Sequence, residues 1–150
     1  MKELILAGIF LGNFITTSYR SVPSQTDDSP FNTSTGERVS PNGAAISQDR
    51  LCPACRRLHK RCKHPEVTKW VHYGDCLYVE GLGFKVVNDC LGRFKHYRVR
   101  TKKGWKSRFI RQDNWIDLWV SSYKEERAFH RQNGFTPHKV WDIKIESDKN

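Results

Sequence analysis

Apolar residues recur along this chain in short runs, and glycines or polar clusters interrupt them. That is the pattern of short β-strands joined by turns. Residues 4–19 read as one or two strands broken near Gly12. Residues 22–43, rich in Ser, Thr, Pro, Asp and Asn, read as loop with a short strand around Thr33. Residues 44–47 form a short buried strand, and residues 76–79 and 84–88 flank a Glu80-Gly81-Leu82-Gly83 hairpin turn. Residues 97–110 alternate on both sides of Lys102-Lys103-Gly104. Tyr97, Val99 and Thr101 fall on one face and Arg98, Arg100 and Lys102 on the other, which predicts a hairpin with a cationic face. Residues 116–120 form a buried strand and 139–145 an alternating last strand.

Helical signals are few. Residues 56–60 suggest a single turn. Residues 121–133 carry Ser121 or Ser122 as N-cap, Glu125 and Glu126 in the first turn, and Gly134 just past the end. Ala128 and Phe129 are expected to face inward.

A length of 150 residues suits one domain with a real core, and the many turns and aromatics favour a β-rich fold. The net charge of +10 is concentrated. Residues 51–115 hold sixteen Lys or Arg against five Asp or Glu, whereas the flanking segments are close to neutral. A basic stretch of this kind calls for a polyanionic partner or for strong solvation. The apolar residues 1–15 are too short, and too broken by Gly8, Gly12 and Asn13, to span a membrane. Lys2 and Glu3 cancel, so the charged leader of an export signal is missing, and a buried first strand is the expected reading.

Chemistry gathers in three places. Asp89 and Asp117 stand at the ends of short strands, where acids serve either acid/base chemistry or plain turn formation. The five cysteines are an odd count, so at least one thiol is free or metal-bound. Cys52 and Cys55 form a Cys-x-x-Cys pair, and His59, Cys62 and His64 follow closely enough to complete a structural zinc tetrahedron. Free thiols and a disulfide are the competing readings. Between Asp89 and Asp117, nine residues are Lys or Arg and one is acidic. Arg98, Arg100, Lys102, Lys103, Lys106 and Arg108, interleaved with Trp105, suit an anionic cell-wall polymer or nucleic acid. A solvated hairpin is the plainer alternative.

Several short pieces, taken in order, resemble a known family. They are Thr16-x-x-Tyr19, Gln25-Thr-Asp-x-Ser-Pro-Phe-x-Thr33, Thr33-Ser-Thr-Gly36, Ala45-Ile-Ser47, Gly74-Asp-x-Leu-Tyr-Val79, Gly81-x-Gly83-Phe84, Val87-Asn-Asp89, Ile116-Asp-Leu-Trp-Val120, the Lys124-Glu-Glu-x-Ala-Phe129 helix and Val140-Trp-Asp-Ile143. Together they resemble the three-aspartate domain of bacterial and phage proteins, akin to the barrel of lytic transglycosylases. The resemblance implies an all-β fold, a six-stranded double-psi β-barrel over residues 14–145 with one C-terminal helix. Two basic insertions, residues 51–72 and 91–114, interrupt it. It also implies cleavage of peptidoglycan glycan strands, with Asp117 as acid/base and Asp89 as the partner that raises its pKa. Ser47, Asp27 and Thr33 would line the substrate site. The first signature aspartate falls on Ser47, a departure from the family pattern. The alternative is a virion or assembly component that keeps the barrel as a scaffold and binds nucleic acid or a partner protein through its insertions.

Overall fold

The computed structural model describes residues 6–21, 31–65, 69–133 and 135–145. Six strands close into a barrel in the order β1 (Leu6–Tyr19), β7 (Trp115–Trp119), β2 (Gly43–Ile46), β4 (Gly83–Cys90), β3 (Cys76–Val79) and β8 (Thr136–Ile145), with β8 returning to β1. The β1–β7 and β2–β4 pairs are parallel and the other four antiparallel. Strands β5 (Phe94–Thr101) and β6 (Gly104–Arg111) form a separate two-stranded sheet between β4 and β7. The all-β barrel expected from the sequence is therefore present. Among the described residues, no helix is long and apolar enough to cross a membrane.

The first strand runs through Gly12 without a break. Its pairing with β8 slips between Phe10 and Gly12, and Gly12 takes a φ of +114° that favours glycine. The bulge bends β1, so its first part pairs only with β8, residues 15 and 16 pair with both β8 and β7, and residues 17–19 pair with β7. Its interior face carries Phe14, which meets Ile46, Leu77, Val79, Val87, Ile116 and Val140 in the core. The Cys-rich insertion shares that core. Leu51 and Val71, joined by a parallel bridge, are both fully buried within it.

Helix α1 (Pro53–Leu58) opens with proline at its first position, where the missing N–H costs nothing, and ends at His59 in the left-handed region. Arg61 then ties the insertion to the barrel. Its guanidinium donates to Asp75 Oδ1 at 2.8 Å and to the Tyr73 carbonyl at 2.8 Å. Helix α2 (Tyr123–Gln132) begins as its signals predict, the Glu125 N–H donating to the Ser122 hydroxyl at 3.2 Å. Phe129 packs against the core, but Ala128 is exposed. The helix instead turns Glu126 inward, where the carboxylate takes the Arg20 guanidinium at 2.8 Å.

Candidate acid cleft, thiol cluster and cationic hairpin

One row of residues crosses four barrel strands. Thr17 on β1 stands opposite Asp117 on β7, Asp117 opposite Ala45 on β2, and Ala45 opposite Asp89 on β4. Residues in register share a face, so the two acids flank a methyl group and no larger side chain intervenes. Ile116 and Leu118 turn into the core, and by alternation Asp117 turns to the opposite face.

Asp117 keeps 9 % of its surface exposed, which opens it to a cleft of about 440 Å³. Its Oδ1 accepts the Thr17 hydroxyl at 2.9 Å, and Thr17 Oγ1 accepts the Trp115 indole N–H at 2.9 Å. Burial pushes the Asp117 carboxyl up to about 6. Lys95 and the Thr17 bond pull against that shift, while the charges of Asp89 and Glu126 add to it. Asp89 is held differently. Its Oδ1 accepts the Ser34 N–H at 3.0 Å, the Cys90 N–H at 2.8 Å and the Ser34 hydroxyl, so three donors converge on one oxygen. Tyr19 feels both acids. Burial, then the charges of Asp89 and Asp117, hold its phenol far above the ordinary range, so it stays neutral and able to donate.

The other walls of the cleft come from two directions. Ser18 and His130 line it from β1 and α2, with Ser18 Oγ 3.2 Å from His130 Nε2. Leu91, Gly92, Phe94, Lys95, His96 and Gln112 line it from the root of the β5–β6 hairpin. The basic hairpin is thus part of the acid cleft rather than a separate attachment.

Ser47 is fully buried at the end of β2. Its hydroxyl accepts the Trp115 N–H at 3.0 Å, and its own N–H donates to the Trp115 carbonyl at 3.0 Å. It pins β2 to β7 and does not line the cleft. Thr33 is also buried, 3.0 Å from the Thr35 hydroxyl, in the loop that presents Ser34 to Asp89. Asp27 lies outside the described residues.

The Cys52, Cys55 and Cys62 sulfurs lie within 4.8 Å of one another and could hold a metal ion. All three thiols are free, with Cys52 and Cys55 buried and Cys62 half-buried. The knuckle directs backbone N–H groups at sulfur. Cys62 donates to Cys55 Sγ at 3.2 Å, and Ala54 and Cys55 donate to Cys52. Burial pushes the Cys52 thiol up, but these N–H bonds and the neighbouring thiols bring it below its ordinary value. Neither His59 nor His64 joins the group of mutually close donors, and both side chains are exposed.

The hairpin departs from the single cationic face that its first strand suggests. Cross-strand partners put Lys106 opposite Val99 and Arg108 opposite Tyr97, so these two cations share the apolar face. Arg98 and Arg100 share the other face with Trp105 and Phe109, Arg98 lying 5.7 Å from the Trp105 ring centre. Lys102 and Lys103 form the tip. Every residue of β6 is exposed, including Trp105 at 61 % and Phe109 at 71 %.

Fold and site together define a closed β-barrel whose wall carries a buried acid with a raised pKa beside a cationic arm. No protein-family model matches the chain, and no curated protein matches it.

Proposed function

We propose that this protein cleaves the glycan strand of peptidoglycan without water, with Asp117 as both acid and base. The observation that carries this reading is the Asp117 carboxyl itself, titrating at about 6 on the wall of a cleft that also holds the neutral Tyr19 phenol. In the first step the Asp117 proton passes to the glycosidic oxygen as the bond from that oxygen to the anomeric carbon breaks. In the second, the Asp117 carboxylate takes the proton of the same sugar's O6 hydroxyl while O6 bonds to the anomeric carbon. The products are a free hydroxyl and a 1,6-anhydro sugar, and Asp117 is again protonated. No second carboxylate has to position a water. Asp89 contributes charge: it raises the pKa of Asp117 and favours the cationic character that develops at the anomeric carbon. Digestion of purified sacculi followed by mass spectrometry tests the reading. Anhydro-muropeptides are the expected product; reducing ends alone, or no release, refute it.

The alternative, a non-catalytic virion or assembly component, draws support from Ser47. At the first signature position this side chain is committed to the Trp115 backbone instead of the cleft. A protein that binds its partner but releases no sugar, with or without Asp117, would fit that alternative.

We also infer that the three thiols hold zinc as a structural ion, with a fourth donor from outside the cysteine group. Three sulfurs and the N–H···S bonds that favour thiolates suit a thiophilic cation. Its role there would be to hold the 51–65 segment against the barrel.

A further inference from the structure

Beside the acid cleft lies a second, smaller pocket of about 110 Å³, lined by Gln48, Asp49, Arg56, Arg93, Arg111, Gln112 and Asp113. Gln112 lines both cavities, and Gln48 Nε2 donates at 3.1 Å to the carbonyl of Leu91, a residue of the cleft wall. The three arginines come from separate parts of the chain: α1, the entry to the hairpin and its exit. The lining sets three guanidinium groups against two carboxylates, a net charge of +1 (3 − 2). Asp113 pairs with Arg111 at 2.8 Å, and both Asp49 oxygens accept the Asn114 N–H, at 3.1 and 3.2 Å. Arg93 makes no ion pair or side-chain hydrogen bond among the described residues. An exposed, uncommitted guanidinium beside two others is a fork for an oxyanion. The volume admits a phosphate or carboxylate group.

We propose that the Arg56, Arg93 and Arg111 pocket is an anion subsite of the acid cleft, which holds a phosphate or carboxylate substituent of the same polymer strand. This rests on the glycan-cleaving reading above. The hairpin continues the subsite outward, since Arg93 and Arg111 lead into its two strands and its cations lie on both faces. A polymer held in the cleft by its sugars is thereby read by its charge in the adjoining pocket. Continuity with the cleft favours a glycan strand over nucleic acid, because a nucleic acid bound along the hairpin alone has no use for the acid beside it.

The test is co-sedimentation of the full chain, in an Asp117→Asn background so that the polymer stays intact. Three wall preparations are compared: sacculi carrying phosphodiester-linked polymer, the same sacculi stripped of it by hydrofluoric acid, and stripped sacculi with their peptide carboxyls amidated. The variants are Arg93→Gln alone, which removes only the uncommitted guanidinium, and Arg56→Gln/Arg93→Gln/Arg111→Gln. The expected result is a loss of about tenfold or more in affinity for the triple variant and a smaller loss for Arg93→Gln, with weaker salt dependence in both. If the loss disappears with stripping, phosphate is the ligand; if it disappears only with amidation, carboxylate is. Wild-type binding in both variants overturns the subsite. So does loss of a DNA gel shift in the triple variant while its wall binding is unchanged. Anhydro-muropeptide release by the protein with Asp117 restored is scored separately. Release with an unaffected triple variant sinks the subsite alone; no release and no binding to any wall sinks both.

Discussion

Thr17 Oγ1 lies 2.9 Å from Asp117 Oδ1 and is itself the acceptor of the Trp115 indole N–H. A threonine hydroxyl has one proton to give. That proton goes to Asp117 Oδ1, and the indole N–H takes one of the two lone pairs on the hydroxyl oxygen. Oδ1 is thereby fixed as the acceptor side of the carboxyl, and the acid's own proton is left to Oδ2. The barrel row orients the acid before any substrate arrives.

Burying Asp117 costs stability, and the cost depends on pH. The folded carboxyl titrates at about 6 against an ordinary value of 3.8, so over that window the folded state holds a proton the unfolded chain has released. Stability should therefore fall as pH rises from about 4 to about 6 and change little beyond. Asp117→Asn keeps the shape without the charge. It should stabilise the fold at pH 7 by about 2–3 kcal/mol, the free energy of carrying that proton across the window, and so raise the thermal midpoint there. Near pH 4 the midpoint should be unchanged. Glycan cleavage should drop by about 10²–10⁴-fold. Calorimetry at the two pH values and product release check both parts; a variant destabilised at pH 7 contradicts the burial argument.

Asp89 and Lys95 pull the same acid in opposite directions. With Asp117 needed as an acid, activity should decline as pH rises through about 6. Asp89→Asn removes a negative charge and should move that limb to lower pH. Lys95→Met removes a positive charge and should move it higher. Matching displacement of both limbs in one direction would separate the pH dependence from Asp117.

Thr17→Val removes the hydroxyl from both of its partners. The buried Trp115 indole loses its acceptor, at a cost of about 1–3 kcal/mol, so urea unfolding should shift to a lower midpoint. The same change removes a bond that lowers the Asp117 pKa, so the alkaline limb should move up. Thr17→Ser restores the hydroxyl and should restore both readings.

Protein purified without chelator should carry about one zinc per chain. Stripping the ion should lower the thermal midpoint, and free zinc at about 1,000 times its Kd should add back ~4 kcal/mol. Cys55→Ser should remove most of the bound metal, whereas Cys90→Ser, outside the sulfur cluster, should not. Full reactivity of all five thiols in the untreated protein would mark them as unliganded.

Strand positions are legible where the chain changes pattern locally. Gly81 and Gly83 flag one hairpin, Lys102-Lys103-Gly104 another, and Ser122 with Glu125 the helix start. Features set by register are not. Alternation along β5 says nothing about which β6 residues stand opposite, so the cations at Lys106 and Arg108 fall on an unexpected face. The inward side of α2 differs from expectation because Arg20, remote in sequence, supplies a partner for Glu126 and leaves Ala128 to solvent. Of the site, Asp89, Asp117 and the three clustered cysteines are visible as local signals. Tyr19 and Ser34 fall inside short motif pieces that assign them no role, and Lys95 and His130 carry no local mark. Strand pairing and the hairpin root bring them to the acids from remote parts of the chain, and no spacing rule anticipates that.

The bent first strand has a consequence for synthesis. Residues 6–19 pair with 136–145 and 115–119, so the earliest strand waits for the last two. While the nascent chain is still short of β8 at the ribosome, β1 has no neighbour on that side and β3 has a bare edge too. Such edges invite pairing with other chains, and contacts this distant in sequence form slowly. A message truncated before codon 136 would yield an open sheet with two adhesive margins, which aggregates instead of folding to a weakened barrel.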